Sequence, residues 1–580
     1  MIALLTCFAA STIFLTNHLF EENFIRGDAF SYFAYLYAWV VEGQLGFSFY
    51  PGLPPEISNR LWLGHFNGAY IPRMTFGVAM LQLPFYLTAH LLAPVLGFEA
   101  NGWTFPYQIS AALGGLFWFF LGLQNLQKIL FEYFSQRVAG ITLVLLVVAT
   151  NLLYYAGAEN TVSHVYSFSL VSIALRFFND WLKQNQLKIL IISFLCIGFT
   201  VLIRPTNAVV VIALAGFLFS HKGAFKKVNL KEVLLAAAIG ALPVLLQFLY
   251  WKVQTGSWLV YTYRDEHLFF SRPMILQGLF SYRNGWLLYT PVMIVAYLGF
   301  YPLMKKYPRI ALGIFITLVL HVYIVFSWWC WYYGSSLSIR PMVDIYALIA
   351  FPLAAITERL VHAPAWARLC SIGIAMLLVV NNLVQIWQYA NGWLSGSDMS
   401  KKAFYTLLLN LDPPKNIAHL GMWKAPDTDR LKAGLYERCK RDTVVAKHWE
   451  VVPDNPVKIS RDRVYSPSIE KNATEINTSF DRYLVLEVVV SGADADEKKT
   501  LLTLEFVDQR QVVEYHAIPI GEFGKDFSER PVSLKSYWRK PKNMSDSASV
   551  KAYVWCNNCS GELIVHRIVM EEIDCPYASP

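Results

Sequence analysis

The sequence predicts a polytopic α-helical membrane protein of about eleven spans with a C-terminal extracytoplasmic β-sandwich domain. Three observations carry that expectation. Hydrophobic residues make up 55% of the 580 residues and charged residues only 16%, against about a quarter charged in soluble domains. Apolar runs of about 20 residues, the length that crosses a hydrocarbon core, recur from residue 1 to residue 390. After residue 445 the pattern changes to short alternating or β-branched runs broken by Gly, Asn, Asp and Ser, which is how strands read.

The first apolar stretch, 1–20, lacks a basic start and a small-residue cleavage site, and reads as a retained signal anchor. Lys and Arg then collect in 128–137, 176–188, 221–231, 305–309 and 359–368, and short basic loops stay cytoplasmic. Spans near 1–20, 104–127, 138–157, 165–181, 188–203, 207–220, 232–252, 287–303, 309–326, 342–357 and 369–390 satisfy the alternation, with the N-terminus inside and the C-terminus outside. The stretch 75–96 is apolar enough to cross, but a crossing there would put Lys128 and Arg137 outside. It is therefore expected as an interfacial or re-entrant helix, broken near Pro84, within a first outer loop of about 21–103. This layout is that of a multi-pass membrane protein. The net charge of +8 comes from dispersed residues, without the basic runs interleaved with aromatics that nucleic-acid binding needs.

Residues 1–390 thus form the membrane domain, 391–445 a polar connector, and 446–580 the extracytoplasmic β-sandwich, with strands expected at 483–490, 501–507, 512–518, 550–555 and 563–570. Cys439, Cys556, Cys559 and Cys575 all fall late in the chain. An oxidising compartment favours disulfides among them, while Cys556 and Cys559 also have the spacing of half a zinc site or a redox pair. Cys7, Cys196 and Cys370 read as small apolar residues within spans.

The chemistry gathers on one side. Asp28 follows the first span in Arg26-Gly27-Asp28. At helical spacing Asp28, Tyr32, Tyr35 and Trp39 share one face and Phe30, Phe33, Tyr37 and Val41 roughly another. A helix lying flat on the membrane would sink the second face in lipid and present the first to an outer cavity. Alone, Asp28 would serve equally as a helix-start carboxylate. The other predicted outer loops argue for a site. Residues 158–164 bring Glu159 and His164, 203–207 bring Arg204, 261–267 bring Tyr263, 280–286 bring Tyr282 and Arg283, and 328–344 bring Trp328, Trp329, Tyr332, Arg340 and Asp344. Guanidinium groups recognise phosphate oxygens bidentately, so Arg204, Arg283 and Arg340 facing a carboxylate suggest a bound phosphate diester or diphosphate.

With these blocks in that order, residues 1–390 resemble the GT-C glycosyltransferase superfamily, specifically its protein-mannosyltransferase-like and aminoarabinose-transferase-like bacterial members. The resemblance implies a polyprenyl-phosphate-linked sugar donor, an outward-facing active site, and inversion at the anomeric carbon. The acceptor would be a hydroxyl on a protein, a lipid or a polysaccharide. Many such relatives carry two adjacent acids in the first outer loop, whereas Ala29 follows Asp28 here, so no metal or other cofactor is assigned.

On this reading Asp28 is the general base and Glu159 a second catalytic carboxylate. Arg204, Arg283 or Arg340 holds the phosphate, and Trp328, Trp329 and Tyr332 wall the sugar. His164, Tyr263 and Tyr282 complete the substrate-binding candidates, and the β domain helps to bind or orient the acceptor. The competing classes are a transporter or flippase of lipid-linked sugars, which would use the same groove without chemistry, and a non-catalytic anchor that presents the β domain.

Overall fold

A computed structural model describes residues 1–412 apart from 16–23, 59, 222, 224–227, 264–265 and 397–398. It also describes 445–574 apart from 454, 461–464, 473–474, 476–481, 493–499, 509–510, 521–530, 540–548 and 557–561. The chain divides into two compact units, Met1–Met422 and Trp423–Pro580.

The first unit is a bundle of helices, as its apolar runs require: in lipid a backbone must satisfy its own hydrogen bonds. Among the described residues six helices are long and apolar enough to cross a membrane: Gly77–Val95, Phe105–Tyr133, Leu230–Thr255, Pro308–Phe326, Arg340–Val361 and Ala365–Ala390. Shorter apolar helices lie at Ile2–Ile13, Gln136–Val148, Leu187–Ile203 and Pro205–Ser220. Local signals set several ends. The Ser135 side chain accepts from Val138 N at the start of Gln136–Val148. Asn185 and Gly256 take left-handed backbone after Ser163–Gln184 and Leu230–Thr255, the usual helix stop.

Two expectations change. Helix Gly77–Val95 runs unbroken through both Pro84 and Pro94, because neighbouring helices stiffen a proline-containing turn inside a bundle. Its first residue packs on Leu202 and Ile203, at the end of Leu187–Ile203, and farther along Tyr86 and His90 pack on Tyr107, near the start of Phe105–Tyr133. Both of those neighbouring ends belong to the side that carries Asp28. Nor does the helix after Asp28 lie flat on lipid. Tyr32, Tyr35, Phe33 and Tyr37, drawn from both of its expected faces, are all buried in protein.

The chain between helix Asp28–Leu36 and helix Gly77–Val95 folds back through a hairpin of β1 (Leu63–Phe66) and β2 (Ala69–Pro72). Met74 N then donates to Ser31 Oγ at 2.9 Å, Thr75 Oγ1 to the Leu202 carbonyl at 2.6 Å, and Phe76 N to Gln247 Oε1 at 3.0 Å. Through residues 74–76 these bonds tie the helix that begins at Asp28 to the end of Leu187–Ile203 and to the later turns of Leu230–Thr255.

The second unit is a sandwich of antiparallel sheets. Its strands are β3 (Val445–Val451), β4 (Val457–Ile459), β5 (Ile469–Asn472), β6 (Arg482–Ser491), β7 (Thr500–Asp508), β8 (Gln511–Pro519), β9 (Val532–Arg539), β10 (Ser549–Cys556) and β11 (Leu563–Asp574). One sheet runs β5-β10-β7-β8 and the other β3-β11-β6-β9, with β4 also on β11. Alternate residues from both sheets, among them Leu486, Leu504, Val550, Val554 and Ile568, form one buried core. The five expected strands are all present. Cys556 is disulfide-bonded, and Cys439, Cys559 and Cys575 lie outside the described residues.

Close helix contacts yield a packing prediction. A Cβ at Gly198 would overlap the Gly240 carbonyl oxygen of the neighbouring helix, whereas one at Gly373 meets nothing within 4 Å. Gly198→Ala should cost about 1–3 kcal/mol by overpacking, and Gly373→Ala should add up to about 1 kcal/mol through helix propensity. Thermal unfolding in detergent checks both; equal shifts would contradict the packing assigned to Gly198.

Candidate active site

Gly27, at φ +54°, turns the chain so that Asp28 is the first residue of helix Asp28–Leu36. Only glycine adopts that conformation at little cost. The turn is pinned just upstream, where Ile25 N donates to the buried Gln108 Oε1 at 2.8 Å.

Opposite lies the segment that carries Arg340. It is held by an unusually dense set of buried bonds. Asn151 Nδ2 donates to the Leu337 carbonyl at 3.1 Å, Tyr155 Oη accepts from Leu337 N at 3.0 Å, and Tyr346 Oη donates to Asn151 Oδ1 at 2.7 Å. Trp286 Nε1 donates to Tyr346 Oη at 3.0 Å. Asn284 Nδ2 donates to the carbonyls of Tyr332 at 2.8 Å and Ser338 at 3.1 Å. Tyr333, Ser335 and Ser338 all take positive φ, strain of the kind that collects at functional sites.

The two segments meet in an ion pair: Arg340 Nη2 lies 3.1 Å from Asp28 Oδ2, with the side chains 20% and 16% exposed. Glu159, 14% exposed, pairs with Arg26 Nη2 at 3.1 Å. Burial pushes the Glu159 carboxyl above its ordinary value against the opposing pull of Arg26 and Arg340, and the neighbouring Asp28 charge adds to the rise. Asp28, Glu159, Arg26 and Arg340 therefore form one partly open cluster of alternating charge.

Beside it lies a second cluster around Asp344. His164 Nδ1 is 2.8 Å from Asp344 Oδ1, and both side chains are fully buried. Asn207 Nδ2 donates to Asp344 Oδ2 at 2.9 Å. Arg204 Nε lies 3.1 Å from the same oxygen as an ion pair, its N–H off the line of a hydrogen bond. Arg204 precedes Pro205 in extended backbone, the conformation that a following proline favours.

The aromatic candidates divide. Tyr263 packs edge-on against Trp328 at 5.3 Å and faces the Arg73 guanidinium at 5.0 Å, while Arg73 pairs with Glu266. Trp328 and Trp329 are held by a backbone zip: Trp329 N donates to the His267 carbonyl at 3.1 Å, and Leu268 pairs with Trp328. Arg283, 1% exposed, stacks on the Tyr332 ring with its guanidinium carbon 3.2 Å from the centroid. Tyr282 bonds Tyr405 Oη at 3.1 Å and packs on Phe404, contacts separate from the acid cluster. Asp344 entered the sequence reading without a role, and Arg26, Arg73 and Asn207 were not among the site candidates, although Arg26 and Asn207 stand beside residues that were. Among the described residues no group of three His, Cys, Asp or Glu side chains converges as a metal site would.

This arrangement places carboxylates and guanidinium groups together at one end of a helical bundle. A family model described as dolichyl-phosphate-mannose-protein mannosyltransferase matches residues 86–251. That match covers a minority of the 580 residues, and the six long apolar helices fit a multi-pass membrane protein. Among solved structures, ArnT from Cupriavidus metallidurans bound to undecaprenyl phosphate aligns at 13% identity and a TM-score of 0.38, covering 76% of this chain and 79% of that one. The arabinosyltransferase EmbB from Mycobacterium smegmatis aligns at 11% identity and a TM-score of 0.28, covering 85% of this chain and 59% of that one. No curated protein matches the sequence significantly.

The raised Glu159 value has a consequence for stability. A carboxyl whose value rises on folding contributes stability that is complete below its ordinary value of 4.5 and is lost as pH rises through the folded value. The melting temperature of Glu159→Gln should therefore gain on that of the native protein as pH rises above 4.5. Parallel melting curves against pH would contradict the burial of this carboxyl.

Proposed function

We propose that this chain moves a sugar from a polyprenyl-phosphate-linked donor to an acceptor hydroxyl at the outer face of a bacterial inner membrane. Asp28 is the general base. The observation that carries the reading is the Asp28–Arg340 pair, in which a base and a phosphate-binding group touch and both remain partly open. The matched family's description names dolichyl-phosphate-mannose, a sugar carried on a polyprenyl phosphate, and a site rich in arginine fits that donor.

The donor phosphate enters between Arg204 and Arg340. The acceptor hydroxyl gives its proton to Asp28 as its oxygen attacks the anomeric carbon. The bond between that carbon and the phosphate oxygen breaks, and its electron pair goes to the phosphate. The guanidinium groups stabilise the charge that develops there, the kind of preorganised electrostatic help that dominates many enzymes. Attack opposite the leaving group inverts the anomeric carbon. Glu159 holds Arg26 and adds negative potential beside Arg340. Trp328 and Tyr263 line the sugar side, and Arg283 acts on the wall by bracing Tyr332.

Purified protein incubated with radiolabelled polyprenyl-phosphate sugars tests this. Asp28→Asn should keep the fold and lower turnover about 10²–10⁴-fold, the usual worth of a positioned base. Near-native turnover in that variant would remove Asp28 from the base role.

A further inference from the structure

The reaction above leaves Asp344 unused, yet this carboxylate is the most enclosed charge near the site. Its side chain is fully buried, and a buried charge persists only where partners compensate the lost water. Three partners do so from two other segments: His164 at the start of Ser163–Gln184, and Arg204 and Asn207 around the turn that opens Pro205–Val209. Asp344 itself sits in the short helix Arg340–Ile345, the helix that begins with Arg340. One carboxylate therefore ties Arg204 to the very segment that carries the other guanidinium.

The contact with Arg204 uses the Nε edge. Among the described residues the guanidinium makes no other ion pair, and the side chain stays 20% exposed, which leaves part of it open to a ligand. A purely structural carboxylate would be expected to satisfy its surroundings. Here the buried His164 Nε2 and Asn207 Oδ1 have no hydrogen-bond partner, and unsatisfied polar atoms of this kind call for a functional explanation.

We infer that Asp344 is a positioning residue that sets the spacing between Arg204 and Arg340, making the two guanidinium groups a clamp for one phosphate group of the donor. This inference rests on the proposed donor class and says which protein groups take its phosphate. His164 and Asn207 hold the carboxylate in place, and the rigid helix Arg340–Ile345 transmits its position to Arg340.

The test is a double-mutant cycle on the full chain in detergent, with polyprenyl phosphate itself as the titrated probe. Asp344→Asn and Arg204→Lys should each weaken binding about tenfold to hundredfold, the loss expected for a charge-assisted contact. The double variant should be scarcely weaker than either single one, because groups that act as a unit are not additive. Additive losses, or native binding in Asp344→Asn with only a lower melting temperature, would overturn the inference. If Asp344→Asn does not fold, Asn207→Ala removes one donor from the same carboxylate; weaker binding there supports the clamp and native binding overturns it. Binding is read without turnover, so a failure of the clamp is separable from a failure of the transferase reading, which the Asp28→Asn assay addresses alone.

Discussion

The candidate site depends on the ion pair between Asp28 and Arg340. It joins the start of helix Asp28–Leu36 to the short helix Arg340–Ile345 that leads into Tyr346–Val361. A partly exposed ion pair contributes little to stability, at most about 1 kcal/mol. The pair matters because both partners are held by other bonds and meet where water and a ligand can reach them. Asp28 is placed by the Gly27 turn and the Gln108–Ile25 bond, and Arg340 by the buried set of Asn151, Tyr155, Asn284, Trp286 and Tyr346. Rigid elements on each side fix the distance between a base and a phosphate-binding group, and such preorganisation is what a transfer reaction needs.

Charge alternates through the site. Arg26 follows Glu159, Arg340 lies between Glu159 and Asp28, and Arg204 backs onto Asp344. Every acid is matched by a guanidinium, so the apo site is close to neutral. An incoming phosphate adds negative charge, and in the proposed reaction it competes with Asp28 for Arg340. Donor binding would then loosen the base from its partner at the step where the base is required.

Much of this was legible in the sequence, for a physical reason. Charged residues at the ends of apolar runs are costly in a membrane and are kept for use, so Asp28, Glu159, Arg204 and Arg340 stood out, and the structure brings all four to one end of the bundle. The centre of the second cluster was not legible. Asp344 lies among aromatic and apolar residues, and nothing in its neighbours reveals that His164, Arg204 and Asn207 converge on it from elsewhere. Periodicity also misplaced the helix after Asp28. It separates two faces correctly, but it cannot tell lipid from protein as the cover, and here protein covers both. Pro84 misled in the same way, since a proline ends a helix only where nothing else holds the turn. The late strands were visible wherever apolar residues alternate. Val445–Val451, Ile469–Asn472 and Val532–Arg539 were missed because Lys, Glu, His and Ser interrupt their pattern, and Val457–Ile459 because it is only three residues long.

The central claim is that Arg340 is shared between the base and the donor phosphate. Calorimetric titration of polyprenyl phosphate into Arg340→Ala and Asp28→Asn tests it most directly. The account predicts weaker binding in Arg340→Ala and binding at least as tight as native in Asp28→Asn, where the arginine is released. Native affinity in Arg340→Ala, or equal losses in both variants, would contradict it.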